Sequence, residues 1–307
     1  MRTKVAVALA IVYVVWGSTY FAIAVADRTL PPLLMLAVRF GIAGALLYGW
    51  SLWRGDVARA TLGRREWLAA GIVGALLLFV ETGAVAWAEQ RVASGLTALL
   101  VASVPLFTAL LDRTIFGVRL SLGALAGIAT GLIGVALLVG PSAHIDPVGA
   151  AVLLAGAFAW AAGSAYARVA PLPRAPFLST AMQMLCGAAL LAVAGVATGE
   201  LGQVHPSAIS AGSLGAFAYL IVIGSIGAYT TYSWLLRSRA SSVLVSTYAY
   251  VNPAIAVGLG WVFAGEAVGG REIAAGAVIL ASVGMLLVGR TPRARGERVP
   301  EGAEASA

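Results

Sequence analysis

Ten apolar stretches of membrane-spanning length, five in each half of the chain, leave little sequence for anything else. A helix needs about 20 consecutive apolar residues to cross the hydrocarbon core. The stretches run at about 5–25, 33–53, 67–87, 92–112, 120–139, 148–168, 177–197, 212–236, 241–264 and 272–289. In lipid every backbone polar group must be satisfied internally, which leaves helices or a closed barrel. Barrel strands alternate polar and apolar residues, whereas segments such as 99–111 and 273–288 are apolar on every face. The sequence therefore predicts an all-α membrane protein of ten transmembrane helices. Composition agrees: 11% of the 307 residues are charged, against about 25% in a soluble domain.

The basic residues give the orientation. The connections on the side of the N-terminus carry 16 Lys and Arg, and the opposite connections carry three, Arg28, Arg91 and Arg271. Basic loops stay in the cytoplasm, so both termini are expected there. The net charge of +7 is thus a rim around the membrane and not a face for nucleic acid. The first stretch follows Arg2 and Lys4 as a signal peptide would. It is long enough to span, however, and its Trp16 has a counterpart in the second half. Cys186, the single cysteine, reads as an inert packed thiol. His144 and His205 are the only histidines, both in loops, so neither a metal site nor a cofactor is expected. Residues 290–307, rich in charge, Gly and Ala, read as a disordered cytoplasmic tail.

The halves resemble each other. A shift of 144 residues carries Trp16 onto Trp160, Pro32 onto Pro176 and Arg39 onto Gln183. A shift of 148 carries Arg91 onto Arg239, Ser94 onto Ser242 and Pro105 onto Pro253. A shift of 149 carries 137–140 onto 286–289. These matches predict one five-helix unit at 1–140 and a second at 141–289. Five is odd, so the second enters the membrane from the opposite side. Inverted repeats of this kind build alternating-access transporters, with the site near the midplane where the halves meet.

Several motifs carry a family resemblance. Trp16-Gly17-Ser18-Thr19-Tyr20, Pro31-Pro32 and Arg39-Phe40 resemble the first two helices of EamA-type members of the drug/metabolite transporter superfamily. Trp87-Ala88-Glu89-Gln90, Ser94-Gly95-Leu96 and Val104-Pro105-Leu106 resemble the junction of its third and fourth helices. Asn252-Pro253 and Gly265-Glu266 are similar to the ending of its ninth helix. The resemblance covers the chain apart from the tail. It implies an inner-membrane carrier of small metabolites, often amino acids or related compounds, commonly moving them outward. The chain departs from the pattern at Phe116-Gly117-Val118, where the family often has an acid after the glycine; here the second half alone keeps one, as Glu266.

Arg39 and Glu81 lie about six residues in from the outer ends of spans 2 and 3, roughly 9 Å deep at 1.5 Å per residue. A charge left alone there is costly, so the two are expected to form an ion pair. Either the pair locks helices together, or it serves a zwitterionic substrate or a coupling proton on Glu81. Trp16, Ser18 and Thr19 in span 1 and Trp160 in span 6 are at mid-depth, where aromatics are not headgroup anchors. They wall a cavity or pack against neighbours. Trp87 and Trp261 lie near span ends, as belt residues do. Pro105 and Pro253 each delete a backbone hydrogen bond and should kink spans 4 and 9. Tyr250 and Asn252 add polar groups beside the second kink, and Tyr229 corresponds to Glu81 under the 148 shift. Gly123, Gly127 and Gly131 form a stripe for close helix packing, or a dimer seam.

The predicted substrate contacts are therefore Trp16, Ser18, Thr19, Glu81, Trp160, Tyr229, Tyr250 and Asn252. The expected partners are a small-molecule substrate and the lipid bilayer, in a monomer or homodimer. A proton-coupled multidrug exporter is the alternative. An intramembrane enzyme would need a nucleophile, base and acid at one depth, and the interiors of the spans hold one Glu, one Arg and no His.

Overall fold

A computed structural model describes residues 2–60, 62–88, 97, 100–139, 146–238, 240–264 and 269–288. Among these residues the chain is helical, with no strand. The principal helices are α1 (Arg2–Ala26), α2 (Pro32–Trp53), α3 (Arg64–Ala88), α4 (Val104–Phe116) and α5 (Leu122–Val139). They continue with α6 (Pro147–Ala167), α7 (Pro176–Ala197), α8 (Ala211–Leu236), α9 (Tyr248–Ala264) and α10 (Gly270–Val288). Six of them, α1, α2, α3, α6, α7 and α8, are long and apolar enough to cross a membrane; the other four are shorter in the described residues. Glu89, Arg91, Ser94, His144, Arg239, Glu266 and the tail from Arg290 lie outside the described residues, as does the side chain of Trp261.

Local chemistry sets several helix starts. Pro32, Pro147 and Pro176 open α2, α6 and α7, where a missing N–H costs nothing. Asp146 caps α6 by accepting from the Val148 and Gly149 amides, and Ser210 caps α8 through the Ser213 amide. The cap of α2 comes from afar: the buried Glu200 carboxylate, in the connection after α7, accepts from Leu33 N at 3.2 Å and Leu34 N at 2.8 Å.

Spans 4 and 9 differ from the expected kinked helices. A turn at Ala102–Ser103 interrupts the fourth, and Pro105 stands in the first turn of α4 just beyond it. The Ser103 hydroxyl donates to the Leu100 carbonyl there. The ninth is interrupted at Thr247, between a short helix at Ser242–Ser246 and α9. Pro253 lies six residues further on, inside α9.

Packing runs across the halves. α2 lies along α7, and α5 lies along α10. α1 packs on α8 and α9, while α6 packs on α3 and α4; α2 touches α8 as α7 touches α3. Exchanging each helix with the one five places later leaves this set of neighbours unchanged. Glycines permit the close approaches. Gly127 and Gly131 of the span 5 stripe face Leu286, Ser282 and Tyr250, so α9 and α10 cover that stripe within the chain. Large apolar side chains such as Leu122, Trp53 and Val193 are left outside, as the surface of a protein solvated by lipid requires.

Candidate substrate site

A cavity of about 110 Å³ opens between the halves, lined from α1, α2, α3, α6, α8 and α9 and by Val101. Its floor is aromatic. Trp16 and Trp160, equivalent under the 144 shift, meet edge to face with ring centroids 5.5 Å apart. Tyr232 and Tyr248 complete the cluster, each within 6.2 Å of both indoles. Trp160 Nε1 donates to the Tyr232 hydroxyl at 2.8 Å, and Ser164 shares a hydrogen bond with the same oxygen. That ties the indole's polar edge to protein and leaves its π-surface for packing. From this floor the cavity extends toward the end of the bundle where α1 stops and α2 begins.

The walls above the floor carry both charges. Arg39 is buried on α2; its Nε donates to Ser225 Oγ at 2.8 Å, and its guanidinium carbon lies 5.0 Å from the Phe40 ring centre. Gly224 makes room for it, since a Cβ there would stand 3.0 Å from Arg39 Nη2. Glu81, half-buried on α3, accepts from the Thr82 hydroxyl at 3.1 Å. Arg39 and Glu81 both line the cavity.

Glu81 and Tyr229 stand at a feature the sequence did not signal. The middle of α3 is π-helical over Ala75–Glu81, and the middle of α8 over Leu220–Tyr229. The two segments end on residues equivalent under the 148 shift, and both end residues line the cavity. A π turn widens the helix and is found disproportionately at functional sites. Tyr229 Oη donates to Gln183 Oε1 at 3.0 Å, and Gln183 is the counterpart of Arg39.

Of the eight expected contacts, Trp16, Thr19, Glu81, Trp160, Tyr229 and Asn252 line the cavity. With its amide nitrogen turned toward the Tyr13 and Tyr248 carbonyls, Asn252 donates to them at 3.3 and 3.0 Å, joining α1 to α9. Two contacts are corrected. Ser18 is beside the cavity and not on its wall; it donates to the Val15 carbonyl and shares a hydrogen bond with Tyr219 Oη on α8. Tyr250 is fully buried in a separate core with α5 and α10, its hydroxyl donating to the Ile128 carbonyl at 3.3 Å. The wall also carries Tyr20, Phe40, Thr82 and Tyr248.

Each end of the bundle has its own polar closure. Where α4 and α6 end, Arg168 forms an ion pair with the buried Asp112 and stacks 4.4 Å from the Phe116 ring centre. At the other end, Asp27 follows α1, with Oδ1 buried and unpartnered. Burial pushes its carboxyl up to about 7; the Glu200 carboxylate adds to the rise and the Arg39 guanidinium opposes it. A carboxyl raised on folding contributes its full stability below its unfolded pKa and loses it as pH rises through the folded value. Asp27→Asn is therefore expected to melt a few degrees above the parent at pH 8 and level with it at pH 4. Thermal unfolding in detergent checks this, and a lower melting point at pH 8 would count against it.

The comparisons with known proteins agree with this architecture. The inner membrane transporter YedA of Escherichia coli is 39% identical over 285 residues, 92% of this chain and 90% of its own. A probable amino-acid metabolite efflux pump of Salmonella typhimurium is 26% identical over 311 residues, 93% of this chain and 97% of its own. A protein of known crystal structure shares the fold with a TM-score of 0.76 at 22% identity, covering 94% of this chain and all of that one. The EamA-like transporter family matches at residues 3–140 and again at 147–288. Both halves of the cavity thus come from matched segments, and the chain belongs to the EamA-like transporter family.

Proposed function

We propose that the chain is a ten-helix carrier, two inverted five-helix repeats at 1–140 and 141–289, which exports small zwitterionic solutes by alternating access. Amino acids or related compounds are the favoured class. The observation that carries this reading is the composition of the cavity: an aromatic floor with a buried cation, Arg39, and an anion, Glu81, on its walls. A solute with a carboxylate, an ammonium group and an apolar body matches those three surfaces. The paired family matches and the exchange-symmetric helix packing support the repeat. The basic rim supports an orientation with both termini in the cytoplasm.

Counterflow in proteoliposomes tests the reading. Liposomes loaded with an unlabelled amino acid are expected to accumulate its radiolabelled form transiently, for at least one member of a panel with apolar side chains. Exchange of lipophilic cations in place of every amino acid would transfer the carrier to the drug-exporting class. Glu81→Gln is expected to raise the half-saturating concentration about tenfold, equivalent to about 1.4 kcal/mol. The variant should keep the parental pH profile, because we read transport as uncoupled facilitation. A variant that exchanges normally but loses its pH dependence would instead place a coupling proton on Glu81.

A further inference from the structure

A second cavity, of about 320 Å³, opens at the end of the bundle where α6 stops and α7 starts. Ala167, Ser179, Gln183 and Ser233 line it, with Arg174 and Arg237 at its mouth. Three of these are images of residues around the central cavity. Ile23 and Arg39 map onto Ala167 and Gln183 under the 144 shift, and Val85 maps onto Ser233 under the 148 shift. Where the central cavity has its buried arginine, the second has a glutamine that is also buried. The walls of the two spaces are hydrogen-bonded to each other. Tyr229, on the wall of the first, donates to Gln183 on the wall of the second, and Gln183 Nε2 donates to Ser179 Oγ at 3.1 Å. Polar groups kept at this depth belong beside protein or a water-filled space and not beside lipid. At the mouth, Arg237 Nη1 donates to the Pro173 carbonyl at 2.8 Å, which fixes its guanidinium over the opening. Arg174 also borders a neighbouring groove that holds Asp56 and Glu66, so Arg237 is the stronger anion-binding group of the two.

We propose that this cavity, lined from the second half alone, forms one wall of the cytoplasmic leg of the transport path, and that Arg237, aided by Arg174, draws in the negatively charged group of the solute. This rests on the carrier reading above. In the present conformation the leg is separated from the central cavity by the aromatic floor and the Tyr229–Gln183 bond. Opening it requires those contacts to part while the outer leg closes.

Thiol labelling tests the leg without knowledge of the substrate. Ser233→Cys and Thr82→Cys are placed singly and together in a Cys186→Ser protein. The probes are the anionic sulfonatoethyl and the cationic trimethylammonioethyl methanethiosulfonates, applied to inside-out vesicles and to intact cells. Ser233→Cys is expected to react in inside-out vesicles only. It should prefer the anionic reagent about tenfold relative to a free thiol, and Arg237→Gln should remove most of that preference. In the double variant, modification at 233 should wedge the inner leg open and slow modification at 82 from the outer face about tenfold. No reaction at 233, or equal rates for both reagents, overturns the proposal. Unchanged reactivity at 82 also overturns it, making the cavity a closed pocket or a lipid-headgroup site while leaving the central site intact. Failure of amino-acid counterflow with all three labelling results obtained would fault the substrate class and not the path.

Discussion

Gly74→Leu is expected to yield no folded protein. Gly74 on α3 lies against α7 so closely that a Cβ would stand 2.3 Å from the Gln183 carbonyl oxygen, a backbone atom. Across the same contact a Cβ on Gly187 would stand 2.8 Å from Leu78 Cβ. Neither helix has a flexible side chain to move out of the way, so any substituent must push the backbones apart. Gly74→Ala, the smallest intrusion, is expected to cost at least about 3 kcal/mol and to lower the melting temperature by about 10 °C. The displaced residue is Gln183, so the Tyr229 hydrogen bond loosens with it. Gly49→Ala on α2 is the control: a Cβ there meets nothing within 4 Å, and removing glycine from a helix interior favours the folded state by about 0.5–1 kcal/mol. Size-exclusion profiles and thermal melts in detergent separate the three. A monodisperse Gly74→Leu protein with the parental melting point would refute the close α3–α7 contact.

Trp16→Ala and Trp160→Ala are each expected to lower counterflow at subsaturating solute about 100-fold, equivalent to about 2.7 kcal/mol. Each indole supplies part of the cavity floor and one side of an edge-to-face pair. Removing either takes one ring from a four-ring cluster and leaves the other indole in contact with Tyr232 and Tyr248 alone. The double variant should therefore lose far less than the product of the two single losses, since contacting residues are not additive. Trp160→Phe isolates the polar edge. It keeps a ring in the cluster but deletes the bond to Tyr232, and a loss of about tenfold is expected. If the three single variants fold and transport with unchanged half-saturation, the aromatic floor is not the substrate site.

Depth along a span and the matches between the two halves were legible in the sequence, but not direction around a helix. Trp16 and Trp160 could be paired because their spacing matches, and Arg39 and Glu81 stand out because charge is rare inside an apolar span. Tyr250 was misassigned for a related reason. It shares a depth band with Tyr248 and Asn252, but α9 is apolar all round and offers no polar face from which to read its orientation. Ser18 and Thr19 are neighbours about 100° apart on one helix, so only one of them reaches the cavity wall. The π segments of α3 and α8 left no trace, because a π turn is a shift in hydrogen-bond register and not a composition. Arg168 belongs to the basic rim in the sequence, and its pairing with Asp112 needs the ends of α4 and α6 to be brought together. The breaks at Ala102–Ser103 and Thr247 were read from the prolines as bends within continuous helices. The chain instead stops each helix with a turn whose hydroxyl bonds the carbonyl three residues back.

The pairing of α2 with α7 and of α5 with α10 has a consequence for biosynthesis. When the first five helices have left the ribosome, the surfaces of α2 and α5 that will be buried still face lipid or one another. Glu200, which will cap α2, has yet to be translated. The early half must therefore wait in the bilayer as a loose set of inserted helices until its counterparts arrive. The contacts that bury α2 and α5 therefore become available only once α7 and α10 have been made.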